Sequence, residues 1–156
     1  MEKTKEIPES NNRALGFTKE ERLYHRRILE NVFQTGTPIK DYPFILLHLK
    51  TPLYTTYPAQ CAVTASKRNF KRAVDRNRIK RLMREAWRTQ KSKLYEALQS
   101  KEEQRAIVIM YVGKELPDFA LVSRKITSLV NRLKEDIVTL QVSTPLPDKK
   151  DEESTS

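Results

Sequence analysis

Apolar residues recur along the chain in patterns that predict a short series of elements. Thr18-Lys-Glu-Glu21 reads as a capping box, in which Thr18 and Glu21 satisfy each other's free backbone donors. Leu23, Ile28, Leu29, Val32 and Phe33 follow at helical spacing, and Gly36 is the expected stop. Residues 44–49 (FILLHL) and 61–65 (CAVTA) are short apolar runs bounded by Pro, Thr and Ser, which predicts strands. Residues 106–112 (AIVIMYV) are apolar throughout, as a strand covered on both faces would be. Between the second and third strands, residues 72–88 predict a long helix, followed by a short one near 94–98. A last helix from Asp118 sets Val122, Ile126, Leu129, Val130, Leu133, Ile137 and Leu140 on one stripe. Helix, strand, strand, helix, strand, helix is an α+β order.

The ends of the chain lack such patterns. Residues 1–14 are polar and turn-prone, which predicts a flexible N-terminal arm, and 141–156 read as a disordered tail. A single domain is expected over 15–140, in keeping with a length of 156 residues. One Cys excludes an intramolecular disulfide framework and a Cys-rich zinc site, and it fits a reducing compartment. No apolar run approaches ~18 residues, so no membrane-spanning helix is expected. The first residues, MEKTKEIPESNNR, hold no hydrophobic segment of the kind a secretory signal needs. A cytoplasmic protein is predicted.

Charge changes this picture most. The chain carries a net charge of +10, which points to an anionic partner. The stretch from Lys67 to Lys93 holds 12 basic and 2 acidic residues, so the rest of the chain sums to zero. Within it Arg72, Arg76, Lys80, Arg84 and Arg88 stand at strict i, i+4 spacing, with Asn77 and Arg81 expected on the same side. Ile79, Leu82, Met83, Ala86 and Trp87 are expected on the opposite side, suited to packing on a sheet. Like charges at i, i+4 destabilise a helix by about 0.2–0.5 kcal/mol per pair, so the row calls for an anion or a strong anchor. A solvated charged face is the plainer alternative. Arg outnumbers Lys on the row and interleaved Glu is scarce, which favours a phosphate-binding face.

No catalytic set is legible. The chain has no H-x-E with Cys pairs, no Gly-rich phosphate loop, no HExxH and no DxD-type carboxylate cluster. His25 and His48 lie in different elements with no partner suggested by spacing, Cys61 reads as a small core residue, and Trp87 as core. No catalytic residue and no metal ligand is expected on this protein.

The run TASKRNFKRAVDRNRIKRLMREAWR, from Thr64 to Arg88, resembles the signature of the bacterial ribonuclease P protein component. Its mark is Arg76-Asn77-Arg78, followed by Ile79-Lys80-Arg81-Leu82, and the likeness extends more weakly from Phe17 to Leu140. The resemblance implies a small sheet flanked by helices, with a left-handed β-α-β crossover through the basic helix. It also implies a non-catalytic subunit that assists a catalytic RNA, with Mg²⁺ bound mainly by that RNA, in cutting the 5′ leader from precursor tRNA. On this likeness the catalytic RNA and precursor tRNA are the partners, with no membrane and no obligate protein partner. Arg68, Arg72, Arg76, Asn77, Arg78 and Arg81 match the region that contacts the catalytic RNA. Leu29, Phe33, Ile45, Leu47, Lys80 and Arg84 match the leader cleft. Two of these positions depart from the family, which often has aromatic residues where Leu29 and Leu47 stand; another aromatic such as Phe17 is then the expected substitute. Leu29 and Phe33 also fit an ordinary helix–sheet core, and both assignments are open at this point.

Rival readings are a ribosomal-type structural RNA-binding protein, a DNA-binding regulator and a stand-alone nuclease. The strand expected before the basic helix argues against a helix-turn-helix, and the missing acid, base and metal ligands argue against a nuclease.

Overall fold

Strand Arg105–Tyr111 is the centre of the molecule, and nearly every one of its residues is buried. A computed structural model describes residues 17–143, with side chains to Val138. The expected arm over 1–14 and all but the first three residues of the expected tail lie outside the described residues. In chain order the elements are α1 (Arg26–Thr35), β1 (Thr37–Asp41), β2 (Phe44–Lys50), β3 (Ala59–Ala65), α2 (Ala73–Lys101), β4 (Arg105–Tyr111) and α3 (Phe119–Ser143). The strands form one sheet in the order β1-β2-β4-β3, with β3 and β4 parallel and the other pairs antiparallel. Parallel pairing of β3 with β4 across α2 makes the β-α-β unit that the resemblance implied, and the fold is α+β.

Two apolar layers sandwich the sheet. On one face Ile107, Ile109 and Tyr111 join Phe44 and Leu46 under Ile79, Met83 and Trp87 of α2 and Val122, Ile126, Leu129 and Leu133 of α3. On the other, Ala106 and Val108 lie under Ile28 and Val32 of α1, with Leu23 beside them. Full burial of a Leu- or Ile-sized side chain stabilises by about 1.5–3 kcal/mol, and both faces of β4 collect such contacts. Trp87 and Cys61 are core, as expected. The stripe on α3 is buried from Val122 to Ile137. Among the described residues no helix is long and apolar enough to cross a membrane.

Four expectations about the elements need correction. The capping box at Thr18 forms, but it caps only a single 3-10 turn at Lys19–Glu21. The chain then runs extended, with Arg22 bridged to Cys61 and the Leu23 N–H donating to the Cys61 carbonyl at 3.1 Å. Leu23 therefore belongs to the edge of β3, and α1 starts only at Arg26. Gly36 ends α1 at φ −66°, outside the left-handed region; a Cβ there would come within 2.4 Å of the Val32 carbonyl oxygen. Strand β1 escaped prediction because its one buried apolar residue, Ile39, gives no alternation to read. The break expected between a basic helix and a short helix is absent: α2 is continuous for 29 residues, since Lys91 is itself buried and Leu94 and Leu98 extend the packed face. Strand and helix ends otherwise shift by one to three residues.

Two buried polar groups carry testable consequences. Glu21 is 1% and Lys91 2% exposed, and they form an ion pair, with the Tyr95 hydroxyl donating to the same carboxylate at 2.7 Å. Removing one member of such a pair leaves a buried charge, so Glu21→Ala is expected to cost about 3–5 kcal/mol in urea unfolding. His48, buried in β2, accepts a hydrogen bond at Nδ1 from Arg105 at 3.0 Å. Burial, and then the Arg105 charge, lower its pKa from 6.5 to about 4. The fold holds the neutral imidazole, so its contribution is complete above pH ~6.5 and is lost as pH falls toward 4. Wild type should lose about 2 kcal/mol on this account between pH 7.5 and 5. His48→Gln, unfolded by urea at the same two pH values, should lose correspondingly less; an equal loss would refute the assignment.

Candidate nucleic-acid interface

The basic segment begins as a rigid loop. After β3, the Phe70 N–H donates to the Ser66 carbonyl at 3.0 Å and the Asn69 N–H to the Ser66 hydroxyl oxygen at 3.3 Å. The Asn69 amide donates across to the Val112 and Gly113 carbonyls at 3.2 and 3.1 Å, tying the loop to the segment after β4. Phe70 is buried against Tyr111. Lys67, Arg68, Lys71 and Arg72 are left exposed on a fixed backbone.

On α2 the basic row does not form one face. Residues four apart differ by about 40° on a helix, so five of them sweep about 160°. Arg76 falls on the inward side, where its guanidinium donates to the Phe70 and Lys71 carbonyls at 2.8 and 3.0 Å and closes the loop onto the helix. Lys80, Arg84 and Arg88 are half-buried, and Arg88 is bound by Glu85 one turn back. Asn77, Arg78 and Arg81 point outward, and with Arg72, Val74, Asp75 and Leu82 they line one open hollow. Arg72 meets Asp75 at 3.7 Å. Among the described residues Arg68, Arg78 and Arg81 form no ion pair. Of the six expected RNA contacts, five are thus outward and Arg76 holds the loop that presents them.

A second hollow, of about 520 Å³, lies where Arg84 of α2 meets β3 and the segment before α1. Lys19, Arg22 and Arg84 line it together with Phe17, Leu23, Tyr24, Ala62 and Val63, and among the described residues no acidic side chain does. Burial, then the neighbouring Arg22 and Arg81, lower the pKa of Arg84. The expected cleft residues do not share one face: Leu29, Phe33, Ile45 and Leu47 belong to α1 and the sheet face it covers, whereas Lys80 and Arg84 stand on α2, which packs on the opposite face. Leu29 and Leu47 pack at the margin of the α1 layer, half-buried. Ile45 lies two residues from Leu47, on the same face of β2. Phe33 is 51% exposed, which removes it from the core. Neither Phe33 nor Lys80 lines the hollow that Arg84 enters. Sequence reasoning missed Arg22 and Tyr24 because a helix read straight through from Thr18 conceals their place beside β3.

The exposed cations and neighbouring apolar surface suit binding. Among the described residues no group of three or more His, Cys, Asp or Glu could hold a metal ion. The Cys61 thiol is buried and its pKa pushed far up by that burial. His25 is exposed and stacks on Tyr54 at 4.6 Å, whereas His48 is enclosed. Exposed arginines in fixed positions, next to half-exposed apolar side chains, suit phosphates and unpaired bases.

Comparison with known proteins places these features in a family. The family model for ribonuclease P matches residues 17–134. The ribonuclease P protein component of Porphyromonas gingivalis is 36% identical over 120 residues, spanning 77% of this chain and 88% of the relative. That of Chlorobium phaeobacteroides is 31% identical over 126 residues, spanning 74% and 86%. Among solved structures, the RNase P protein of Thermotoga maritima superposes with a TM-score of 0.54 at 24% identity, over 72% of this chain and 96% of its own. The Staphylococcus aureus RNase P protein gives 0.55 at 15% identity, over 73% and 95%. Both structures share the fold.

The different positions of two neighbouring arginines separate loop anchoring from ligand contact. Arg76→Ala removes two charge-assisted hydrogen bonds to backbone carbonyls and should cost about 1–3 kcal/mol in denaturant unfolding. Arg78→Ala, at an exposed site, should stay within about 0.5 kcal/mol of wild type. Equal stabilities would show that Arg76 does not anchor the loop.

Proposed function

Since the chain belongs to the ribonuclease P protein family, we propose that it binds the catalytic RNA of that enzyme through the exposed residues of α2 and the loop before it, and the 5′ leader of precursor tRNA through the hollow at Arg84 and the residues bordering α1. The carrying observation is the division of α2 into two cationic hollows, one lined by Asn77, Arg78 and Arg81 and one by Arg84. In this reading Arg68, Arg72, Asn77, Arg78 and Arg81 meet phosphates of the RNA, and Arg76 sets their loop. Leu29, Phe33, Ile45, Leu47, Lys80 and Arg84 border the path of the leader. An Arg presents a planar fork that grips a phosphate by two hydrogen bonds, which favours the exposed arginines over lysines for this task.

The RNA supplies the reacting groups in this proposal, and the 5′ end of the tRNA is released by endonucleolytic hydrolysis. In this proposal Mg²⁺ is bound mainly by the RNA. The protein's part is to neutralise phosphate charge and fix the leader, work that places it in the cytoplasm beside its RNA. A DNA-reading helix-turn-helix fits poorly, since strand β3 and not a helix precedes α2.

Reconstitution tests this directly. Mixed with a bacterial ribonuclease P RNA and precursor tRNA at limiting Mg²⁺, the protein should raise 5′ cleavage, while the protein alone should cut nothing. Arg78→Ala and Arg81→Ala should each flatten the log–log salt dependence of RNA binding by somewhat less than one unit. Cleavage by protein freed of RNA, or an unchanged slope in the double variant, would overturn the proposal.

A further inference from the structure

Aromatic surface is scarce where a single strand would cross the sheet, and Phe33 is the one expected cleft residue that offers an exposed ring there. The side chains of Leu29 and Leu47 that border that face are aliphatic and offer a base contact area but no π-face. Phe17 is occupied: the Arg22 guanidinium lies over its ring at 5.4 Å and the Lys91 ammonium at 6.0 Å, and its body packs on the core. His25 and Tyr54 are closed on each other. Tyr24 differs. It is 65% exposed, lines the second hollow, and has no ring partner among the described residues.

The charges around that ring are equally specific. Arg22 and Arg84 enter the same hollow close enough to repel each other. Glu21, the nearest acid in sequence, is turned inward and committed to Lys91 and Tyr95. Among the described residues neither Arg22 nor Arg84 forms an ion pair. Two crowded guanidinium groups with no counterion call for an anion, and an open ring beside them calls for a flat apolar group. A nucleotide provides both.

We propose that Tyr24, Arg22 and Arg84 form a nucleotide subsite at the lip of the cleft, in which an unpaired base stacks on Tyr24 while its phosphate lies between the two arginines. This rests on the leader-binding reading given above and adds to it two residues outside α1, β2 and α2's own row. The leader is thereby fixed at one nucleotide by the segment that precedes α1, in addition to whatever contact it makes with Phe33. Stacking of this kind tolerates any base, because each has a π-face.

The test uses the complex of protein and catalytic RNA, with precursor tRNA carrying 2-aminopurine at successive leader positions, and mature tRNA as control. Tyr24→Leu keeps apolar bulk and loses the π-face; Tyr24→Phe keeps the ring. Tyr24→Leu should weaken precursor binding about 5- to 150-fold, leave mature tRNA binding unchanged, and abolish fluorescence quenching at one leader position. Tyr24→Phe should retain both affinity and quenching. Arg22→Gln should weaken precursor binding and lower its salt dependence without moving mature tRNA. Unchanged affinity and quenching in Tyr24→Leu would overturn the subsite, and if Phe33→Ala then lost leader preference, leader binding itself would stand. A wild-type complex that binds precursor and mature tRNA alike would remove the leader reading and the subsite together.

Discussion

A buried carboxylate organises the working side of this molecule. Glu21 accepts hydrogen bonds from the Thr18 N–H at 2.9 Å, the Thr18 hydroxyl at 3.0 Å and the Tyr95 hydroxyl at 2.7 Å, and it pairs with Lys91. A charge withdrawn from water is tolerable only with that many donors around it. Meeting the need fixes the segment around Glu21 against α2, some seventy residues on in sequence. The same segment is sewn to β3 by the Leu23 N–H and by the Gln60 amide, which donates to the Glu20 carbonyl at 2.8 Å. Lys91, neutralised from within, can remain in the middle of α2 without breaking it. The acid that might have quenched the surface arginines is thus consumed inside, and Arg22 and Arg84 keep their positive field.

Helix geometry then decides which arginines are free to use that field. A basic row at four-residue spacing winds around the helix, so its members cannot share a role. Arg76 turns inward and becomes a staple for the loop at Phe70 and Lys71. Arg88 is held by Glu85. What faces outward is an offset set, Asn77, Arg78 and Arg81, with the half-buried Arg84 two turns on from Asn77 in a second hollow. The apolar side of α2, from Ile79 through Met83 and Trp87 to Leu94 and Leu98, stays locked on the sheet, so these positions are rigid. Preorganised cations lose less freedom on binding than mobile ones.

Much of this was legible in residue patterns because the relevant signal was local. The unbroken apolar run of β4, the stripe on α3 and the concentration of charge between Lys67 and Lys93 each describe an element's own faces. What escaped depends on partners distant in sequence. A Glu at the third position of a capping box reads as a surface residue until Lys91 and Tyr95 come into view. The polar stretch around Lys91 reads as a helix break until Glu21 neutralises it. Ile39 alone cannot announce β1, whose place at the sheet edge is set by Arg132 donating to the Lys40 carbonyl at 2.8 Å and by Lys125 meeting Asp41 at 2.9 Å. Periodicity identified α2 as basic and amphipathic; only the packed structure shows Arg76 serving the fold and Phe33 left out of the core.

The two hollows are close, and that proximity has a physical use. Asn77 and Arg84 are seven residues apart on one helix, a rise of about 10 Å, comparable to the screening length of ~8 Å at physiological salt. Two nucleic-acid strands brought this near to each other repel strongly, since each carries a charge per phosphate. A set of fixed cations along one helix stands beside both as a shared counterion. Each strand that binds relieves part of the mutual repulsion among Arg22, Arg81 and Arg84 that burial of Arg84 sharpens. In the proposed assembly, holding the catalytic RNA at one hollow therefore does not expel the leader from the other, and a single helix sets the distance between them.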